Sequence, residues 1–183
     1  MAAYYNGSSW QSDTDIERKR YERIYSISRH GIFVIAVFTM INLIIKLQTY
    51  GDCFIFSAYI PYVLLEYGML YSGVFPEGFD PGGLTRMEKY DTSFFSIMML
   101  VAVMIVSLYV YCWSYSKKNK GGFMITALVM FSVDTLAYFI SNGVSLEHIT
   151  DIIFRTVILV GLVAGVVVYF RMKELPVKSL HRE

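Results

Sequence analysis

Asp134 and Arg155 are the residues whose chemistry stands out, because each is a charge inside a long apolar stretch. Asp134 comes near the end of the stretch 123–140, and Arg155 near the start of the stretch 152–170. The segment between them folds the two stretches into a hairpin, which gives the side chains a similar depth. We therefore predict an Asp134–Arg155 contact, either a structural ion pair or part of a substrate-binding or proton-handling site. If they do not meet, Arg155 reaches toward lipid headgroups.

Two further acids are expected on the same side of the molecule. Glu66 lies inside the stretch 53–75, and Asp91 lies at the start of the next stretch. Together with Asp134 and Arg155 they form the candidate ligand or ion site. Three carboxylates and one Arg around an outer vestibule would suit a cation, a proton or an amine, whereas Arg155 alone would suit a carboxylate or phosphate. The alternative for Glu66 is a structural role, accepting hydrogen bonds from nearby Tyr and backbone groups.

Motifs of the usual soluble enzymes do not occur in the chain. There is no Walker loop, dinucleotide fingerprint, HExxH or GxSxG. Cys53 and Cys112 have no nearby His, and His30 and His148 lack partners at metal-ligand spacing. We therefore predict no catalytic residue, no metal and no cofactor, and we lean away from an enzyme.

The composition indicates the kind of element that must position these residues. Of the 183 residues, 55% are hydrophobic and 17% are charged, whereas soluble domains are nearer a quarter charged. A soluble chain of this length cannot bury so much apolar surface, so the lipid bilayer is the expected partner. The net charge of +1 provides no strong field for nucleic acid.

Five apolar stretches define a predicted membrane domain over 31–170. Each has at least about 17 residues, the lower limit for a helix that crosses the hydrocarbon core. In lipid the backbone must satisfy its own hydrogen bonds, so we predict that all of them are helical. The stretches are 31–47, 53–75, 94–113, 123–140 and 152–170.

The stretch 53–75 decides the topology. If all five stretches cross, the 16 Lys and Arg divide equally, with eight on each side of the membrane. If 53–75 does not cross, twelve lie on one side and four on the other. The twelve are five in the N-terminal arm, three in the loop after 94–113 and four in the tail. Lys and Arg accumulate in the cytoplasm, and Pro61 and Glu66 disfavour a plain span. We predict an all-α integral membrane protein with four transmembrane helices and one re-entrant or interfacial helical segment; five transmembrane helices are the alternative.

Both chain ends are predicted to be cytoplasmic in a multi-pass plasma-membrane protein. Residues 1–12 are polar and expected to be disordered. Thr14 and Glu17 form a capping-box pattern that begins a basic helix over 13–30, which continues into the first span. Residues 171–183 form a basic tail.

Three small or polar residues are predicted to pack helices together. Asn42 lies inside the first span, where amides usually bond across helices. Gly161 and Gly165 form a small-xxx-small pair, which lets backbones approach closely, within the monomer or between two copies.

Several short segments resemble an uncharacterised family of small multi-pass plasma-membrane proteins of Gram-positive bacteria. The resemblance covers most of the chain from about residue 25 and implies a bacterial plasma-membrane address, with no activity attached. The segments that carry it are Asn42-Leu43, Phe54-Ile55-Phe56-Ser57-Ala58, Pro61-Tyr62, Asp91-Thr92-Ser93-Phe94-Phe95, Cys112-Trp113 and Asp134-Thr135.

Three function classes stay open on these grounds. The first is a small protein that binds or transports a small polar or cationic solute at an outward-facing vestibule. The second is a non-enzymatic accessory subunit of a larger membrane complex, docked through the face that carries Gly161 and Gly165; a homo-oligomer is a further possible assembly. The third is a membrane-embedded lipid-modifying enzyme that uses scattered acids.

Overall fold

Five helices make up almost all of the described chain. The computed structural model describes residues 7–49, 57–76, 90–117, 121–143 and 149–175. The helices are α1 (Gly7–Thr49), α2 (Tyr59–Ser72), α3 (Thr92–Ser116), α4 (Gly121–Asn142) and α5 (Ile149–Glu174). No strand occurs within these ranges, so the all-α prediction is confirmed for this part of the chain.

Four of these helices are long and apolar enough to cross a membrane: α1, α3, α4 and α5. The shortest, α4, has 22 residues, about 33 Å at about 1.5 Å per residue, against about 30 Å for a hydrocarbon core. In contrast, α2 has 14 residues and a length of about 21 Å. The predicted stretch 53–75 therefore contributes a helix too short to cross a bilayer.

The first helix is continuous through the basic arm and the first apolar stretch. It begins at Gly7, before Thr14. Residues 7–12 are therefore helical in the structure, whereas the sequence predicted disorder over 1–12. Residues 1–6 lie outside the described ranges. No proline interrupts this segment. Each residue added to an existing helix gains a hydrogen bond without a new nucleation cost, which explains the extension beyond the capping-box pattern.

Contacts between the long helices show that neighbours run antiparallel. The ring of Tyr25 in α1 lies 6.2 Å from that of Tyr169 in α5, and Ser28 lies against Gly165, one turn earlier in α5. The hydroxyl of Tyr25 also donates to the carbonyl of Ser116, the last residue of α3, at 3.0 Å. We call this the basic end of the bundle, because the basic arm and the basic tail leave from it.

The short helix α2 runs alongside the second half of α1, in the same direction. Thr39 of α1 contacts the residue just before α2, and Lys46 contacts Glu66 farther along. The last turn of α2 lies beside the start of α3, where the N–H of Tyr90 donates to the carbonyl of Tyr71 at 2.8 Å. α2 therefore begins midway along the bundle and finishes at the end opposite the basic end.

Two glycines fix the position of α2. Gly68 packs on α3 so closely that an added Cβ would lie 3.0 Å from the Cβ of Met98. Gly73 adopts φ 65° and its N–H bonds to the carbonyl of Met69, a left-handed ending that glycine adopts at little cost.

Candidate functional site

Asp134 and Arg155 form a buried ion pair between α4 and α5. Arg155 Nη1 donates to Asp134 Oδ2 at 2.9 Å, and the two side chains are only 2% and 4% exposed. The predicted contact is therefore present. Because both charges are removed from water, removing either partner would leave an uncompensated charge in an apolar environment.

The carboxylate of Asp134 also caps the start of α2. The N–H of Tyr59 donates to Oδ2 and the N–H of Ile60 donates to Oδ1, both at 2.8 Å. The first N–H groups of a helix have no partner within the helix, and the residue at the N-cap position, Ala58, has no side chain that could accept from them. An acid on another helix therefore does what an N-cap side chain usually does, and its charge is also favourable at the positive end of the helix dipole.

Arg155 makes two further contacts beside the start of α2. Its Nη2 donates to the carbonyl of Ser57 at 3.1 Å, and its guanidinium lies 4.2 Å from the centroid of the Tyr138 ring. Its buried Nε has no hydrogen-bond partner in the described part of the chain. The guanidinium thus joins α4, α5 and the segment before α2.

Two side chains of α1 complete the support of this segment. Thr39 Oγ1 accepts from the N–H of Ala58 at 2.9 Å, and Asn42 Nδ2 donates to Ser57 Oγ. Thr39 and Asn42 are at most 1% exposed. We refer to Thr39, Asn42, Ser57, Asp134 and Arg155 as the central network.

The central network lies near the middle of the bundle. Along α1, Thr39 is about 16 Å from Ser28 at the basic end and about 15 Å from Thr49 at the other end, at about 1.5 Å per residue. The network contains hydroxyl and amide groups, a carboxylate and a guanidinium. Its carboxylate and guanidinium can form charge-assisted hydrogen bonds with a bound group.

Pro61 occupies a different place from the one expected. The sequence placed it near the middle of a helical stretch, where it would disturb the helix; in the structure it is the third residue of α2. The N–H groups of the first turn have no partner within the helix, so a proline there removes no helical hydrogen bond.

Glu66 belongs to a second ion pair, separate from the first. Lys46 Nζ lies 3.3 Å from Glu66 Oε1 and donates to the hydroxyl of Tyr62 at 2.9 Å. The lysine side chain is 3% exposed and the glutamate side chain 33%. Glu66 therefore lies on the side of the bundle that was expected, but Lys46 compensates its charge.

Asp91 lies apart from both ion pairs. It is exposed at the start of α3, and its Oδ2 accepts from Ser93 Oγ at 2.8 Å. Among the described residues, no group of three His, Cys, Asp or Glu is placed to hold a metal ion. The structure thus brings Asp134 and Arg155 together, and it does not gather Glu66, Asp91 and Asp134 into one cluster.

The two glycines of α5 differ in their surroundings. An added Cβ at Gly165 would lie 2.6 Å from the Cβ of Ser28, whereas one at Gly161 would meet nothing within 4 Å. Gly165 therefore allows α1 and α5 to approach within the monomer. Gly161 has no such neighbour in the described part of the chain.

Sequence reasoning missed Thr39, Ser57 and Lys46 as partners of the candidate residues. A hydroxyl in a span gives no distinct signal, since it usually bonds to its own helix, as Thr39 also does with the carbonyl of Ile35 at 2.6 Å. Lys46 did carry a signal, because it is the basic residue that ends the first apolar stretch, on the side expected for Glu66.

A comparison of the chain with protein-family models, with curated proteins and with solved structures finds no match.

Proposed function

We propose that the protein is an integral membrane protein in which α1, α3, α4 and α5 cross the bilayer. Large apolar side chains on the outer faces of the bundle support this proposal. Examples are Leu136 at 59% exposed, Ile140 at 77% and Val160 at 63%. Soluble proteins rarely expose contiguous apolar surface of this kind, whereas lipid tails solvate it.

Aromatic residues at both ends of α3 give a second argument. Tyr90 and Phe94 stack with ring centroids 5.2 Å apart, and Tyr111 and Tyr115 lie 4.2 Å apart at the other end. Phe94 and Tyr111 are separated by about 26 Å of helix, at about 1.5 Å per residue. Aromatic belts at the two membrane surfaces have about this separation.

We infer that α2 is a re-entrant helix. Its length of about 21 Å, its start beside Thr39 and its finish beside Tyr90 support this topology. The chain would leave the bilayer after Thr49, return to mid-depth at Ser57 and leave again along α2. The basic end would then be cytoplasmic, because the described Lys and Arg outside the central network lie there, with the exception of Lys46.

Thiol labelling tests this topology directly. With Cys53 and Cys112 replaced by serine, Ser12→Cys should react with a membrane-impermeant reagent only after the cells are permeabilised. Thr85→Cys, in the segment between α2 and α3, is the matched control and should react in intact cells. Labelling of Ser12→Cys in intact cells would refute the orientation. We propose the plasma membrane of a bacterium as the location, on the resemblance described above.

We propose further that the protein binds or transports a small polar or charged solute, and that the central network is its site. The observation that supports this most is that a half-length helix begins at mid-depth against a buried acid and a buried Arg. Ionisable residues inside membranes are costly and mostly serve ligand or ion pathways, and transporters place the ends of broken helices at their binding sites. The start of α2 is held by hydrogen bonds and an ion pair, contacts that a solute with a charge or several donors can replace.

This position differs from the outward vestibule expected from the sequence. The pair formed by Asp134 and Arg155 is buried, whereas Glu66 lies farther along α2 toward the outer end and is one third exposed. A solute entering from that end would therefore meet Glu66 and Lys46 before the central network. Movement of α2 would be needed to open the path, because Gly68 packs it tightly on α3.

Reconstitution into liposomes tests the proposal. Concentration jumps of potassium, ethanolammonium and glycine are applied to proteoliposomes on a solid-supported membrane, and charge displacement is recorded. We expect a response to at least one of the three probes, its loss in Asp134→Asn, and its retention in the exposed control Glu17→Gln. The absence of any response from correctly inserted protein, or equal responses from the two variants, would contradict a solute-binding role.

The second candidate function, an accessory subunit, is favoured by one specific observation. Of the most apolar part of α3, only 17% is buried within the described molecule, compared with 28–39% for the other three long helices. Much of this helix is therefore available to lipid or to another protein. Co-purification of a second membrane protein in defined stoichiometry would favour this candidate, whereas defined oligomers of the chain alone in lipid nanodiscs, measured by mass photometry, would indicate a homo-oligomer instead.

A further inference from the structure

A groove between the two helices that extend from the basic end has no role in the proposed solute site. It has a volume of about 130 Å³ and is lined by Arg18, Glu22, Tyr169, Met172 and Lys173. Arg18 and Glu22 come from α1, and the other three come from the last turns of α5. The groove therefore combines two cations with an apolar floor.

The position of the groove along the bundle matches the surface of a membrane. Tyr169 lies against Tyr25, whose hydroxyl reaches the last residue of α3. Met172 and Lys173 are one turn farther out, beyond the end of α3. A groove at this level would lie among the lipid headgroups of the cytoplasmic leaflet.

The floor of the groove is fixed by packing. The ring of Tyr169 is so close to Gly121 that an added Cβ there would lie 2.2 Å from it. Lys173 Nζ lies 4.9 Å from the centroid of the same ring. The face of this ring attracts the exposed ammonium group of Lys173 and favours positions of the lysine beside the groove.

The acid in the lining does not remove the positive charge. Glu22 lies 3.4 Å from Arg18 Nε, and both side chains are about half exposed, at 54% and 52%. Such surface pairs are weak, and this one engages Nε, which leaves the two terminal amino groups of the guanidinium for another acceptor. With Lys173 included, the lining carries one positive charge in excess.

From these contacts we propose that the groove binds the phosphate of an anionic phospholipid, with Arg18 and Lys173 as ligands and Met172 and Tyr169 as the apolar floor beneath the headgroup. Its volume of about 130 Å³ leaves room for a phosphate group. Basic pockets between helices on the cytoplasmic side of a membrane suit such headgroups. The proposal rests on the membrane insertion proposed above.

Native mass spectrometry of the full-length protein in detergent tests the proposal, with added phosphatidylglycerol or phosphatidylcholine of identical acyl chains. We expect a preference for phosphatidylglycerol of about fivefold to thirtyfold, the scale set by one or two cations near a membrane surface. Arg18→Gln/Lys173→Gln should remove most of it. The control Arg20→Gln/Arg171→Gln removes the same charge from exposed positions outside the groove and should keep most of it.

Three results would overturn the proposal. Equal loss in the two double variants would mean a diffuse field of charge, and equal binding of the two lipids would mean that no anion is recognised. Displacement of phosphatidylglycerol by the same concentration of inorganic phosphate would make the free anion the ligand. Flotation of wild-type protein with liposomes after an alkaline wash is measured separately, so a failure of membrane insertion is distinguished from a failure of lipid selectivity.

Discussion

Replacing Asp134 by asparagine keeps the shape of the side chain and removes its charge. Three donors meet the carboxylate: the N–H groups of Tyr59 and Ile60 and the guanidinium of Arg155. An amide has one oxygen and one NH₂ group, so at least one donor would face another donor. Arg155, 3% exposed, would also lose the charge that compensates its own.

The size of the effect follows from these contacts. Breaking a buried ion pair by removing one partner costs about 3–5 kcal/mol, and loss of a helix cap costs about 1 kcal/mol. Hydrogen bonds between helices inside membranes average about 0.6 kcal/mol, no stronger than in soluble proteins, so we take the lower limit of about 3 kcal/mol. At about 2–4 °C per kcal/mol for a chain of this length, Asp134→Asn should lower Tm by about 6–12 °C.

A thermal-shift assay of the purified protein in detergent measures this effect. Glu17→Gln, an exposed acid in the arm, is the matched control and should leave Tm unchanged. A double-mutant cycle of Asp134→Asn with Arg155→Met should give a coupling energy of about 1–3 kcal/mol. Two results would refute the reasoning. The first is a Tm of Asp134→Asn within about 2 °C of wild type, which corresponds to less than about 1 kcal/mol. The second is strict additivity in the double-mutant cycle.

The same assay checks two further changes. Gly165→Leu should lower Tm by more than Gly161→Leu. A Cβ at Gly165 would lie 2.6 Å from the Cβ of Ser28, whereas a Cβ at Gly161 would meet nothing within 4 Å. Similar losses of Tm from both variants would contradict this packing. Glu66→Gln should lower the free energy of unfolding by about 1 kcal/mol, less than Asp134→Asn, because the amide oxygen of the glutamine can still accept from Lys46. A loss of stability as large as that of Asp134→Asn would mean that the second ion pair contributes as much as the first.

The sequence predicts the long helices well, because about 20 apolar residues in succession permit few other structures in lipid. It also predicts the Asp134–Arg155 contact, since two isolated charges at matching positions of a helical hairpin have few other partners. It does not predict that Asp134 caps α2. That contact depends on where the chain returns into the bundle after residue 49, and apolar content alone does not encode the depth at which a helix begins.

The prediction for Glu66 was incomplete for a related reason. Charge counting assigned Glu66 and Lys46 to the same side, and in the structure they lie next to each other. It carried no information on the rotation of α2 about its axis, which decides whether the glutamate faces a shared vestibule or the neighbouring lysine. Gly68 sets this rotation by packing on Met98, and such a close approach is visible only in three dimensions.

The cap on α2 also has a consequence for the order in which the protein assembles. The first turn of α2 receives its carboxylate from a residue 75 positions later in the chain, and the carbonyl of Ser57 receives its donor from a residue 98 positions later. During synthesis, α2 is therefore complete in sequence long before its polar start can be satisfied. If the protein inserts as proposed above, we expect stable docking of α2 to wait for α4 and α5, so a nascent chain that ends after α3 should leave the polar start of α2 accessible to water.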